Sequence, residues 1–335
     1  MTPRGPSSCT VATNGPILSH VGHRAVAWPG SSSHAGGATT KTIDATARTA
    51  VVRSAEGEGS SMQVLWVFAH PDPRSLNGAL RDEGVHVLRE QGHQVRESDL
   101  YAMGWDPVVD HDDFHHDAGE RLDVLAESER ALESGDLAAD IRAEQDKLVW
   151  ADALVLQFPL WWFGPPAILK GWFDRLFVQG FAQGVIDPRT GRPLRYGNGG
   201  LVGRRALVIT TVGANAATTG PRGIHGDISD VLFPVLHGTL WYTGISVLPP
   251  LVVNGAVKLS DTDYAAAAAQ LRDRLVALPT SETIPFRFQD GGDYDDHLVL
   301  RPDRAPEQEG LQIHYRTPEP RSECRRAGGQ TEAVR

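Results

Sequence analysis

Three short stretches of this chain carry residue types suited to holding a ligand and reacting with it. The first is AHPDPRSLNGAL (69–80). Pro71 and Pro73 stiffen it, and Ser75 stands where a helix N-cap belongs. A helix start offers unpaired backbone N–H groups and a positive dipole end, which suit a phosphate. Ser75 and Asn77 add side-chain donors and Arg74 adds a positive charge. A plain N-cap with solvated neighbours accounts for the same residues. The third stretch, TTVGANAATTGPRGIHGD (210–227), mixes hydroxyls, glycines and one histidine. Its small residues let backbone amides approach a ligand closely. His225 brings an imidazole, the side chain suited to supplying or taking a proton at neutral pH. A lone histidine is also commonly structural or exposed.

The second stretch poses the sharper question. Residues 157–177, QFPLWWFGPPAILKGWFDRLF, hold three Trp and four Phe. The run Leu160-Trp161-Trp162-Phe163 falls at a turn, where bulky apolar groups are normally shed. Three consecutive aromatics at a turn cannot all point inward, so filling core does not account for them. A flat, conjugated ligand that stacks does. A flavin ring meets that description, with its pyrophosphate on the first stretch.

These stretches need strands behind them. QVLWVFA (63–69), ALVLQFP (153–159) and ALVITTV (206–212) are near-continuous apolar runs, as in strands covered on both faces. HQVRESDL (93–100) is a more polar edge strand, and ISVLPPLVV (245–253) carries a fifth. Helices are expected over 75–91, 138–150, 165–177, 225–243 and 260–278. Alternating strands and helices predict an α/β fold of three layers around a doubly wound, five-stranded parallel sheet. A step to the edge after the first helix fits the flavodoxin-like order 2-1-3-4-5, whose ligands bind beyond the carboxyl ends of the strands. The three stretches converge there. Helix 165–177 has an apolar arc of roughly 180°, wider than the ~100° of a surface helix, so one flank is expected to meet a second subunit. GNGGLVG (197–203) lacks the spacing of a dinucleotide fingerprint and precedes a strand, and reads as a flexible loop. Residues 101–137 read as a long, acidic, His-rich excursion. Within it, DHDDFHHD (110–117) lacks helical ligand spacing, so a solvated acidic loop is expected there and no metal site.

Composition bounds the rest. With 335 residues, 41% hydrophobic and 22% charged, the chain is an ordinary globular protein. Its net charge of −10 argues against nucleic-acid binding, and no apolar run is long enough to span a membrane. Cys9 and Cys324 lie in opposite tails and staple no core, so a reduced, cytoplasmic protein is expected. Residues 1–61 are expected to be a disordered or mis-annotated extension, with Met62 as the true start. Residues 62–280 form the ligand-binding domain. Residues 281–335 form a mostly irregular C-terminal extension, with a short possible strand at 297–302.

With the three stretches in hand, the chain resembles the NAD(P)H quinone dehydrogenases, the DT-diaphorase-like branch of the flavodoxin fold. AHPDPRSLN, AEQDKL followed by ADALVLQFPLWWFGPPAILKGWFDRLF, and ITTVG…GIHGD carry the resemblance. It implies a homodimer with FAD, or FMN, at two sites shared between subunits, and NADPH or NADH as reductant. By resemblance His70, Ser75, Leu76 and Asn77 hold the phosphates and ribityl chain. Leu160, Trp161, Trp162 and Phe163 flank the ring, Thr210, Thr211, Val212 and Gly213 meet its polar edge, and His225 is catalytic. The substrate pocket falls to Gln183, Val185 and Trp162. The departures are a missing tyrosine upstream of His225, with Thr219 nearest its place, Gln183 and Val185 where the family has tyrosines, and Val212 for a glycine. The implied reaction is two-electron, ping-pong hydride transfer from NAD(P)H to a quinone or similar electrophile. Two rivals remain at this stage. One is a flavin-binding regulatory or ancillary subunit of a membrane ion-transport system, and the other is a simple electron carrier.

Overall fold

Apolar runs bounded by Pro, Gly and Asp organise the chain into strands that alternate with helices. The computed structural model describes residues 61–316. The expectations for residues 1–60, and for Cys9 and Cys324, lie outside the described residues. The sheet is built from β1 (Gln63–Phe68), β2 (Gln94–Asp99), β3 (Ala153–Pro159), β4 (Arg205–Val212), β5 (Ser246–Val247) and β6 (Leu251–Asn254). All pairings are parallel, in the order β2-β1-β3-β4-β5, and β6 also pairs with β4. β5 and β6 are one edge strand interrupted at Pro249-Pro250, because proline has no N–H for the ladder. The flavodoxin-like order is therefore as expected.

Helices cover both faces. α1 (Leu76–Glu90) and α6 (Asp261–Val276) lie on one, packing on Trp66, Val155 and Ile209. α2 (Val124–Ser134), α3 (Ala139–Trp150), α4 (Ala167–Leu176) and α5 (Ile228–Phe233) lie on the other. α5 continues as a π-helix over Pro234–Trp241. Ser260 and Asp263 close a capping box at the start of α6.

Four expectations need correction. The 110–117 run is not a wholly solvated loop, for Asp113 and Phe114 are buried, and the excursion around it adds Trp105, Ala131 and Leu137 to the core. Asp113 is 3% exposed. It pairs with the Arg175 guanidinium at 2.6 Å, and Arg175 also reaches Asp140 at 2.7 Å. The aromatic flank of α4 is covered within one chain: Leu169, Trp172, Phe173 and Leu176 are buried, with the backbone of Pro107 close over Gly171. The breadth of its apolar arc thus reflects the excursion and does not by itself call for a second subunit. The 197–203 segment is packed and not flexible, since a Cβ at Gly199 or Gly200 would strike the backbone of Thr243 or Phe181. Finally, 297–302 is not a strand. Leu298 adopts a left-handed φ of 63°, and the Asp295 carboxylate accepts from the backbone N–H groups of His297 and Val299.

Residues 281–316 hold little regular structure, yet Phe286 is fully buried and touches Phe233, His237, Trp241 and Tyr315. Among the described residues, no helix is long and apolar enough to cross a membrane.

Two outcomes follow from this packing. Arg175→Met leaves a buried, unpaired Asp113 carboxylate and should lower unfolding free energy by about 3–5 kcal/mol in urea titration, with an added Asp113→Leu restoring much of the loss. Burial, reinforced by His314, pushes His237 down to about 4. The unfolded chain therefore binds the extra proton first, so this contribution is complete above about pH 6.5 and is lost as pH falls toward 4. The wild type should lose about 3 kcal/mol over that window relative to His237→Phe.

Candidate functional site

The site grows from the carboxyl ends of β1, β3 and β4. Ser75 caps α1, its Oγ accepting from the Gly78 N–H at 3.2 Å. The first-turn amides of Leu76 and Asn77 have no carbonyl partner within the helix. The Asn77 side chain is buried and its Nδ2 donates to Thr211 Oγ1 at 2.9 Å. The Asn77 backbone carbonyl accepts from Gln157 Nε2 at 2.7 Å, and Gln157 Oε1 accepts from Trp66 Nε1 at 3.0 Å. This buried chain ties the first and third stretches through the middle strand. Arg74 is held in a two-pronged pair with Asp72, both contacts at 3.0 Å. The guanidinium hydrogen bonds hold the Asp72 carboxyl down at about 2. Arg74 is thus already partnered and not a free cation. His70 Nδ1 lies 3.1 Å from the Asp72 N–H, with its ring 6.3 Å from that of Trp161.

The aromatic stretch resolves into a two-residue reverse turn. Trp161 N–H donates to the Gly164 carbonyl at 3.0 Å, and Gly164 N–H donates back at 3.1 Å. Trp162 and Phe163 between them have φ of 49° and 63°. Positive φ at both central positions is the type I′ geometry, normally given to Asn-Gly. Bulky residues there store strain, of a kind that collects at functional sites. The turn pushes Trp162 outward, 97% exposed, while Phe163 turns toward His225 with ring centroids 5.8 Å apart.

Leu160, Trp162, Phe163, Val212, Gly213 and His225 border one hollow of about 200 Å³. Thr210 and Thr211 sit just behind it, buried within β4. His225 is not on the helix as expected, because the helix begins only at Ile228, with Asp227 as its cap accepting from Ser229 N–H at 2.9 Å. It lies exposed on the preceding turn, its N–H on the Thr218 carbonyl at 3.0 Å. Thr219 borders the same hollow, with its hydroxyl donating to Asn254 Oδ1 at 3.2 Å. Gln183 borders a different hollow, with Phe177 and Tyr242, while Val185 packs at Gly200. Within one chain neither joins Trp162. Asp110, His111 and Asp112 could offer ligand atoms within 4.8 Å of one another, but Asp110 already caps that turn. The residue that sequence reasoning missed is Gln157. Its signal was a lone amide inside the otherwise apolar run ALVLQFP.

Comparison with known proteins identifies the fold and the family. Residues 62–275 match the family model described as a flavodoxin-like fold. A ribosyldihydronicotinamide dehydrogenase-like protein of Penicillium crustosum is 44% identical over 262 residues, spanning 76% of this chain and 96% of the relative. Human ribosyldihydronicotinamide dehydrogenase [quinone] is 37% identical over 225 residues, spanning 67% and 94%. A Klebsiella pneumoniae protein assigned as a quinone reductase superposes with a TM-score of 0.74 at 48% identity, over 76% of this chain and 100% of that one. The chain belongs to the NAD(P)H quinone dehydrogenase family. The Penicillium and Klebsiella matches take in more of the chain than residues 62–275, so the likeness is wider than the roughly 62–280 read from motifs.

For this family member the turn itself is testable. Replacing Trp162-Phe163 by Asn-Gly should raise unfolding free energy by about 1–2 kcal/mol, since that pair adopts positive φ with less strain. No gain in urea titration would mean that the turn is unstrained.

Proposed function

We propose that this chain is a flavin-dependent NAD(P)H:quinone oxidoreductase, working as a homodimer with FAD and passing two electrons to a quinone or similar electrophile. The observation that carries the reading is the strained Trp162-Phe163 turn, which holds an aromatic shelf beside His225 at the carboxyl edge of a doubly wound sheet. The names of the relatives support the same reaction. An ancillary role beside a membrane ion-transport protein finds no support, since the relatives that carry the match are named as dehydrogenases.

The residues present fit the flavin. Free first-turn amides at Leu76 and Asn77, with Ser75 at the cap, suit a diphosphate. Trp161, Trp162 and Phe163 suit a flat ring, and the backbone at Val212 and Gly213 suits its polar edge. FAD is preferred to FMN on the family resemblance, and NADPH or NADH is the reductant. When bound, the flavin supplies the hydride chemistry, taking two electrons from NAD(P)H and giving them to the acceptor.

The chain's own residues orient and protonate. The shelf fixes the plane in which the nicotinamide and then the acceptor stack, so both use one place in turn and ping-pong kinetics result. With a flavin bound, His225 would be placed to give or take a proton beside the ring, a role worth roughly 10²–10⁴-fold. The dimer has a geometric basis. A hollow of about 200 Å³ is smaller than the usual ligand site of roughly 300–1,000 Å³, and Trp162 stands almost wholly in solvent. A second copy presenting Gln183 and Val185 to Trp162 would close it.

Purified protein should be yellow and should oxidise NAD(P)H faster when a quinone is added. His225→Ala should keep its flavin and lose about 10²–10⁴-fold in turnover, whereas unchanged turnover would remove the proposed role. The Asn-Gly turn variant should bind flavin more weakly. Folded protein that takes up neither FAD nor FMN would overturn the reading.

A further inference from the structure

Gln157 is the one amide in the apolar strand ALVLQFP, and it is fully buried. Its side chain shares the face of Val155, two residues earlier, which packs beneath α1. An indole N–H can only donate, so the Gln157 atom 3.0 Å from Trp66 Nε1 is the carbonyl oxygen. Nε2 is then left to donate to the Asn77 backbone carbonyl at 2.7 Å. Trp66 is itself held tightly, for a Cβ at Gly84 of α1 would fall 2.3 Å from its ring. The Gln157 amide therefore has one orientation, set by a closely packed indole.

The Asn77 carbonyl belongs to the first turn of α1, which the preceding loop also grips. A Cβ at Gly78 would fall 1.7 Å from the Pro73 carbonyl oxygen, and the Gly78 N–H is spent on the Ser75 cap. Asn77 Nδ2 carries the tie on to Thr211, near the end of β4. Neither Gln157 nor Trp66 reaches solvent, so neither can touch a ligand. What they fix is the place of Ser75, Leu76 and Asn77. Burying an amide gains little stability over an apolar residue of the same size. Its return at this position is placement.

We propose that Gln157 is a positioning residue for the flavin's phosphate. With Trp66 fixing its amide, it holds the Asn77 carbonyl and so sets the first turn of α1 where that turn can receive the phosphate. The inference rests on the oxidoreductase reading, which puts a flavin phosphate at this turn. Trp66, Asn77 and Thr211, the other groups of the network, carry no charge, so the wild-type tie does not titrate.

The full chain, freed of its flavin, is titrated with FAD, or with FMN if that is what it retains. Gln157→Met keeps the length and removes both hydrogen bonds, and should weaken binding about tenfold or more. Phosphorus NMR of the bound flavin should shift, while the visible spectrum of its ring stays as in the wild type. Gln157→Glu should rescue in one protonation state only. A neutral carboxyl accepts from Trp66 and donates to Asn77, whereas an ionised one cannot donate. Burial raises the pKa of that carboxyl, so the variant should match the wild type near pH ~5.5 and bind about tenfold more weakly than it by pH ~8. Trp66→Phe leaves Gln157 without its fixed donor and should cost about threefold or more, which decides the matter if neither Gln157 variant folds. Folded variants that bind flavin as tightly as the wild type overturn the proposal. So does a loss that alters the ring spectrum and leaves the phosphorus resonances unmoved, or a Gln157→Glu defect equal at both pH values. Wild-type protein that takes up no flavin overturns the oxidoreductase reading, and this inference with it.

Discussion

Gln157 is fully buried in the central strand of a parallel sheet, and its amide ties together the loops at the carboxyl edge. An amide at that depth is tolerated only when its groups are paired. Trp66 from β1 supplies the donor, and the carbonyl of Asn77 supplies the acceptor at the first turn of α1. Asn77 then reaches Thr211 on β4. Three separate connections are thereby drawn to one edge of the sheet by hydrogen bonds that water cannot compete for. The first turn of α1 is anchored from inside through the backbone carbonyl and the side chain of Asn77.

Above this anchor the structure does the opposite and stores strain. Trp162 and Phe163 occupy backbone conformations that bulky residues avoid, closed by the two hydrogen bonds between Trp161 and Gly164. Pro165 and Pro166 remove two N–H donors just beyond, and α4 begins at Ala167 with its first turns packed against the core. The turn is gripped between a rigid strand exit and a rigid helix start. Relaxing it would mean moving one of them. The aromatic pair is thus presented to solvent by its surroundings and not by its own preference.

A second theme is the use of long irregular segments as structural material. The excursion between β2 and α3 delivers Asp113 to Arg175 and Pro107 to Gly171, sealing the outer flank of α4. Residues 281–316 bring Phe286 under the π-helix and set His314 beside His237. Both segments look polar in composition, with acidic runs and many Gly, Asp and Pro. Of their aromatic residues, Trp105, Phe114 and Phe286 are buried, while Tyr101, Phe288, Tyr294 and Tyr315 are half-buried. A window average dilutes one buried ring among ten polar neighbours, so such packing leaves little trace in the pattern.

Local and short-range chemistry made the sheet legible from residues alone. The strands at 63–69, 153–159 and 206–212 are near-continuous apolar runs, as burial on both faces requires. Ser75 and Pro165-Pro166 mark helix starts by local chemistry that acts over three or four residues. The aromatic turn announced itself because its residues violate the usual composition of a loop. Contacts between residues far apart in the chain were decided by the tertiary structure. These include the pairing of Arg175 with Asp113, the separation of Gln183 and Val185 from Trp162 within one chain, the placement of His225 ahead of its helix, and the tie from Gln157 to Asn77. None of these follows from periodicity, because each depends on which surfaces meet once the layers have packed.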